Sequence, residues 1–600
     1  MTDTQNIAGN MGENSNSPGG PGGRKRPYGV VALIVAVVAV AAVAYYKNHR
    51  GLKGVNAQDL RVERVTRSGK ATTAAISADG QLIAYVLRDA GQQSVILRQL
   101  GTEKETQLTA PEPIMYSGLT FSPDGTSLYY TSSSKENQLF SYLYKIPLQG
   151  GPATRLVEDI DTAVSFSPDG RKFAFVRGVP DKRLNDLIVA NADGSDLKII
   201  ARRPGQVYVG SLIAPAWSPD GNTIVFTNYQ TNRRFLLAVA PDGSGLRELY
   251  KSHDELGRTQ WLPDGHGLLV PVREANLGDR GQIWKVDFPS GRAERVTSDP
   301  RDYSLLWFGT DQRAASLASV ETTVTGDLWM LPDGDSANEK QVTTGGALIV
   351  YVSKFGKDKI LYETREGRVF TADTDGGNAR QVKMAAGQGV RDVSACGDGK
   401  HIVYQEMRGE DEDIWRVDAD GSNTVRLTNE KSASMPTCTP DGQWVIYWND
   451  EEHSLNQAPI QGGTSTKVNF PNATSPYVRF SPDGKFVIYN SEKQEHAKSE
   501  NKVVIAPANG GAPVAAFPMV PGMGMAPPQW AADGKALYMN LTRQGAANIW
   551  KMESPGGPLT QVTNFPSGLI ASFTWSLDGK TLYVARGTRS TDVVLLKAAK

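Results

Sequence analysis

The sequence predicts an all-β protein: two β-propellers, most simply six four-stranded blades plus six, behind a single N-terminal transmembrane segment. Three observations predict it. A hairpin-corner phrase, seen in Leu119-Thr-Phe-Ser-Pro-Asp-Gly125, returns about every 45 residues. A second Gly-containing turn follows each corner. The strands at the two ends of the repeat array are incomplete in complementary ways.

The corner comes first. Its Asp-Gly recurs at Asp79, Asp124, Asp169, Asp220, Asp264, Asp398, Asp441, Asp483, Asp533 and Asp578, with weaker copies near Asp311 and Asp358. A strand-like run precedes and follows each one. Pro presets φ for a type I turn, Asp tolerates the next position, and Gly takes the positive φ that closes the hairpin. The aromatic before the corner (Phe121, Phe166, Trp217, Trp261, Phe480, Trp530, Trp575) is expected to pack on the neighbouring sheet. The second hairpin reads as in IWRVDADGSNTVRLT, 414–428, and makes four strands, a to d, per unit. APDG at 240–243 and LPDG at 331–334 mimic the first corner but belong to this second one.

The ends come next. Residues 61–66, RVERVT, read as a d strand without a, b and c; the C-terminal DVVLLKAAK reads as a c strand without d. Pairing a first strand with a last blade removes a free edge. Two rings are expected, 61–338 and 339–600, with a boundary near the polar stretch 335–339 and KQVT, 340–343, opening the second ring. A seven-plus-five split satisfies the same end-strand logic.

Ahead of the repeats, residues 1–27 form a Gly/Asn/Ser/Pro-rich tail ending in Arg24-Lys25-Arg26, expected to be disordered. Tyr28–Tyr46 is free of charge and long enough to span a bilayer as a helix, with tyrosines at both ends. The competing reading is a cleaved secretory signal, for which Ala42-Val43-Ala44 supplies the small-residue site. A linker, 47–60, follows. Either reading exports the bulk of the chain: a single-pass inner-membrane protein with periplasmic propellers, or a protein released to the periplasm.

Composition narrows the function classes. Acidic and basic residues balance, 64 against 64, so nothing points to nucleic acid. The two cysteines, Cys396 and Cys438, lie one repeat apart; the narrow geometry of disulfides weighs against a bridge, and the sequence leaves the matter open. No Cys/His spacing suits a metal, and no cofactor is expected. Asp373-Thr-Asp375-Gly and Asp418-Ala-Asp420-Gly-Ser-Asn423 echo a calcium loop but lack the distal Glu, and read as turns. GEDEDIW, 409–415, reads as a solvated acidic loop. His266 and His401 follow corners, where exposure is the default.

The repeated F-S-P-D-G phrase, with its downstream D-G-x-x-x-R-L-T, resembles the TolB-like, WD-repeat-like propeller family of bacterial envelope proteins. The resemblance covers residues 61–600 and implies fold more than function. It differs from Tol-type proteins in lacking room for a small α/β domain before the first strand, and from propeller peptidases in lacking a G-x-S-x-G elbow. What it implies is a non-enzymatic scaffold or sensor binding an envelope protein, peptide or glycan. The alternatives are a channel-sited hydrolase or lyase and the extracytoplasmic half of a signalling system. No catalytic or metal residue is assigned. Successive corners of an antiparallel sheet alternate ends, so a–b and c–d turns share one face and the variable b–c and d–a loops the other. Those loops supply the candidate ligand-binding residues: Arg202, Arg203 and Tyr208 in the first ring, and Met519, Met523, Met525 and Trp530 in the second.

Overall fold

The computed structural model describes residues 60–598 apart from 134–140, 180–181, 206–212, 231–232, 275–279, 312–315, 385–387, 409–410, 431, 471–472, 496–497 and 525. Contacts group the described residues into one compact unit. The apolar segment 28–46 lies outside the described residues. Among those described, no helix is long and apolar enough to cross a membrane.

Antiparallel strands form eleven sheets, nine of them four-stranded. The propeller-like plan follows from the corner chemistry. In Ser122-Pro-Asp-Gly125 the Asp124 carboxylate accepts from the Ser122 hydroxyl and the Thr126 N–H, while Ser122 Oγ accepts from Ser127 N–H. The same arrangement recurs at Ser77/Asp79, Ser167/Asp169, Ser218/Asp220, Thr439/Asp441, Ser481/Asp483 and Ser576/Asp578. Gly125 takes φ 68°, which any Cβ would oppose. The end of the unit is equally built. At five Leu/Val-Thr endings the Thr accepts a main-chain N–H of strand c and donates to a buried or half-buried polar side chain there: Thr66 to Asp592, Thr297 to Gln282, Thr343 to Asp327, Thr428 to Asp413, Thr563 to Asn548. A buried carboxylate or amide thus anchors strand d to strand c.

No sheet buries both its faces alone; neighbours do it for each other. One cycle of apolar clusters runs from the sheet Ala71–Gln107 through 116–158, 165–204 and 216–252 to 255–295. A second runs from 349–381 through 388–426, 433–467 and 473–518 to 529–561. Both close through one shared six-stranded sheet.

That shared sheet departs from the expected boundary near 338. Strand Ser316–Pro332, 17 residues, pairs along its whole length with strand Thr581–Ala598, 18 residues, from Ser316↔Lys597 to Pro332↔Thr581. At one end Leu60–Arg64 and Tyr303–Thr310 flank them; at the other, Lys340–Gln341 and Leu569–Trp575 do. The C-terminal half of the last strand therefore lies in the first cycle, not in a second ring running from 339 to 600. The incomplete c and d strands pair with each other, as the end-strand logic required, but across the whole chain. No turn signal interrupts either long strand, so each continues from one blade into the next. Lys340–Gln341 does serve as the d strand that opens the second cycle, after a 3-10 turn, Ser336–Asn338, capped by Asp335.

Candidate binding seam between the two rings

The shared ribbon sets how the two cycles face. In the first, the a–b corner end lies at Ser316/Lys597; in the second it lies at Thr581/Pro332. The loop-bearing ends of both meet in the middle, where Gly326 pairs with Gly587. A Cβ on Gly587 would sit 2.1 Å from the Thr325 carbonyl oxygen and 2.9 Å from Gly326 Cα, so only glycine permits this approach. The two faces predicted to carry binding loops are thus turned toward each other.

Charged residues join them. Arg365, in the b–c turn Thr364–Arg368 of the second cycle, donates to Asp302 Oδ2 at 2.6 Å; Asp302 Oδ1 accepts Gly281 N–H in the first. In the same turn Glu366 accepts from Arg280 at 2.9 Å. Nearby, Glu321 collects Arg64 at 2.8 Å and Arg301 at 3.3 Å. Further round the seam, burial raises the Glu412 carboxyl, and Arg391 of its own blade and Arg234 of the opposite ring oppose the rise. Asp392, beside Arg391, acts on Tyr477, whose hydroxyl burial pushes up. His453 is pushed down by desolvation and by the charge of Arg183 across the seam. Descending positions in the first ring (280, 234, 183) meet ascending ones in the second (366, 412, 453), as two faces hinged at a shared blade must.

Of GEDEDIW, residues 409–410 lie outside the described residues, and the rest is no solvated loop. Asp411–Asp418 is a strand, and Asp413 is buried, accepting from Arg426 and Thr428. Period-two alternation sends Asp413 inward and leaves Glu412 on the other side of the strand. His401 is also buried rather than exposed: its Nδ1 meets Asp398 Oδ2 at 2.5 Å, because Cys396 occupies the corner place where serine usually caps the aspartate. His266 is exposed as expected. The calcium-like loops spend their carboxylates on their own turns: Asp375 accepts Gly377 N–H, and Asp420 accepts Ser422 N–H. Among the described residues no group of three or more His, Cys, Asp or Glu is placed to hold a metal.

The predicted binding residues divide. Arg202 is engaged by buried Asp186 through two bonds, 2.6 and 2.7 Å, so its guanidinium anchors strand d. Arg203 is exposed beside it. Met519, Met523 and Trp530 pack against the apolar cluster between 473–518 and 529–561 rather than forming an open patch, and Met523 bridges to Leu541. Tyr208 and Met525 lie outside the described residues. The seam residues were missed because nothing in a single strand signals which other blade its loop will meet. The two cysteines do form a disulfide, Cα–Cα 5.1 Å, joining neighbouring inner strands. Away from the seam, a groove of about 530 Å³ opens on the flank of the first ring, walled by Tyr116, Tyr130, Tyr142 and Tyr144, with Arg155 over the Tyr142 ring.

Corner, anchoring threonine and sheet cycles give the chain the plan of a β-propeller-like repeat protein. No family profile matches the chain. Among curated proteins it is similar to the Tol-Pal system protein TolB of Anaeromyxobacter dehalogenans, 28% identical over 123 residues, 20% of this chain and 26% of that one. It is also similar to an uncharacterised protein of Agrobacterium fabrum, 28% identical over 146 residues, 23% of this chain and 50% of that one. The chain thus spans about a quarter to a half of these relatives. Similar solved structures include TolB from Agrobacterium tumefaciens (14% identity, TM-score 0.36, 45% of this chain and 99% of that one). Another is oligogalacturonate lyase from Vibrio parahaemolyticus (14%, 0.32, 66% and 93%). At those scores neither carries a functional argument.

Proposed function

We propose that the chain forms two six-bladed propellers sharing one sheet and acts as a non-enzymatic, exported envelope protein that binds a protein, peptide or glycan as a scaffold or sensor. Residues 28–46 anchor it in the inner membrane with the propellers in the periplasm, or are removed as a signal during release there. The observation that carries the binding reading is the seam: loop-bearing ends of both rings converge on it, and its contacts are polar, from the mostly buried Arg365–Asp302 pair to the part-exposed Arg280–Glu366 pair, rather than a sealed apolar core. Its part-exposed pair, Arg280–Glu366, is individually weak, so a charged or hydroxylated partner can replace it. The curated TolB relatives are Tol-Pal system proteins, which supports an envelope setting. The tyrosine-walled groove supports a glycan as one class of partner.

The test compares partner recovery from envelope fractions by the intact exported chain, by Arg234→Glu and Glu412→Lys seam variants, and by an Arg171→Gln surface control. Loss in the seam variants alone is expected; equal recovery by all four removes the seam as the binding surface. One observation favours a second reading, an enzyme of hydrolase or lyase type. Glu412, raised by burial among Arg391, Arg234 and Asp392, is the kind of group general acid catalysis uses. Turnover of an envelope glycan or peptide that disappears in Glu412→Gln would decide for it.

A further inference from the structure

The inner strand of the sheet spanning 255–295 is broken. Glu255–Leu256 and Gln260–Trp261 each pair with Gly267–Glu274, and Gly257, Arg258 and Thr259 lie between them. At the break the main chain turns toward the next blade: Arg258 N–H donates to the Leu305 carbonyl at 2.6 Å. A Cβ on Gly257 would sit 2.4 Å from that same oxygen, so glycine is required there. Turned in this way, the Arg258 side chain crosses the channel to the blade three places round the ring. Its Nη1 donates to the Leu119 carbonyl and its Nη2 to Thr120 Oγ1, both at 3.2 Å.

The group is 8% exposed, and neither of those two partners carries charge. No carboxylate pairs with it among the described residues. Among the described residues its Nε–H has no acceptor, and the buried hydroxyl of the next residue, Thr259, also lacks a partner. A buried guanidinium without a counter-charge is costly, and a neutral carbonyl and hydroxyl do not remove that cost. Desolvation alone pushes its pKa down, to about 10, still above neutral pH, so the residue stays cationic. Surplus donors and an unmatched positive charge, with no acid among their partners, describe an anion site.

We propose that the channel of the first ring holds a small, singly charged anion, a halide or a carboxylate, against Arg258. The anion takes the Arg258 Nε–H and so completes the tie between opposite blades.

The test is anion-specific stability of the full chain. Thermal unfolding is followed in sodium chloride, sodium formate and sodium gluconate at equal ionic strength. Chloride or formate is expected to raise the midpoint by about 2–4 °C over gluconate, saturating with concentration as site binding does. A rise with chloride assigns a halide, and one with formate alone a carboxylate. Arg258→Gln should abolish the increment, whereas Arg171→Gln, on an exposed corner, should keep it. Crystals soaked in bromide give a readout independent of that variant's folding: an anomalous peak beside Arg258 Nε. Identical midpoints in all three salts with no bromide peak, or an increment that survives in Arg258→Gln, overturns the proposal.

Discussion

The two rings use one repeat but tie their inner strands differently. In the first, Arg258 reaches across the channel to Leu119 and Thr120 on the opposite blade. In the second, the Cys396–Cys438 bridge joins adjacent blades. The difference reaches one corner. Hydroxyls cap the aspartate at corners of both rings, such as Ser122 in the first and Ser481 in the second, whereas Cys396 takes that place at one corner of the second and His401 turns inward to meet Asp398 instead. Burial pushes the Asp398 carboxyl up, but N–H donors from His401 and Lys400 win and hold it low. A repeat position therefore tolerates a change of residue when another side chain supplies the lost donor.

The largest expected effect tests what the rings share. Gly587→Val places atoms against the Thr325 carbonyl and the Gly326 backbone, which cannot move without parting the ribbon. A loss of about 4 kcal/mol or more is expected, with both rings losing hydrogen-exchange protection together. Deleting 591–600 separates them. Only the first ring loses a strand, so protection should fall in 71–107 and persist in 433–467. A uniform loss contradicts the pairing of the C-terminus with Leu60–Arg64.

Asp413→Ala should follow in size. It strips buried partners from Arg426 and Thr428, and a loss of about 3 kcal/mol is expected, confined to the second ring. The disulfide closes 42 residues, and Cys396→Ala with Cys438→Ala should cost about 3 kcal/mol in chemical denaturation, again in the second ring alone. Ellman titration of the unfolded, unreduced chain should find no free thiol.

The smallest effect concerns acid. Serine hydroxyls hold Asp124, Asp169, Asp220, Asp483 and Asp578 below the usual carboxylate range. A carboxyl lowered on folding stabilises above its unfolded pKa and loses that contribution as pH falls through the folded value. Below about pH 4, then, the thermal midpoint should drop more steeply in the wild type than in Ser122→Ala. These corners are exposed, so the change per corner is small, and parallel curves remove the corner bond as a source of acid sensitivity.

Much of this was legible in the residues because the repeat is local chemistry. Ser-Pro-Asp-Gly specifies its own turn through bonds spanning no more than five residues, and the anchoring threonine, Thr66 apart, acts within one hairpin. The decoys at 240–243 and 331–334 fell on c–d turns for the same reason. Long-range geometry was not legible. Arg202 looked like a loop arginine until strand pairing set it beside Asp186, and Met519 and Met523 read as an open apolar patch until the fold packed them against a cluster between two sheets. Acidic 409–415 looked solvated because a charge count does not show which alternate residue turns inward.

The order of strands, the hairpin corners and the need of each sheet for neighbours were determined by the sequence, since turns and alternation are set over a few residues. Which sheet closes both cycles, which faces oppose each other, and where Arg258 and Glu412 find themselves were decided by the tertiary structure. Those outcomes depend on pairing between segments hundreds of residues apart, Leu60–Arg64 with the end of Thr581–Ala598 above all, and no local pattern encodes a partner at that distance.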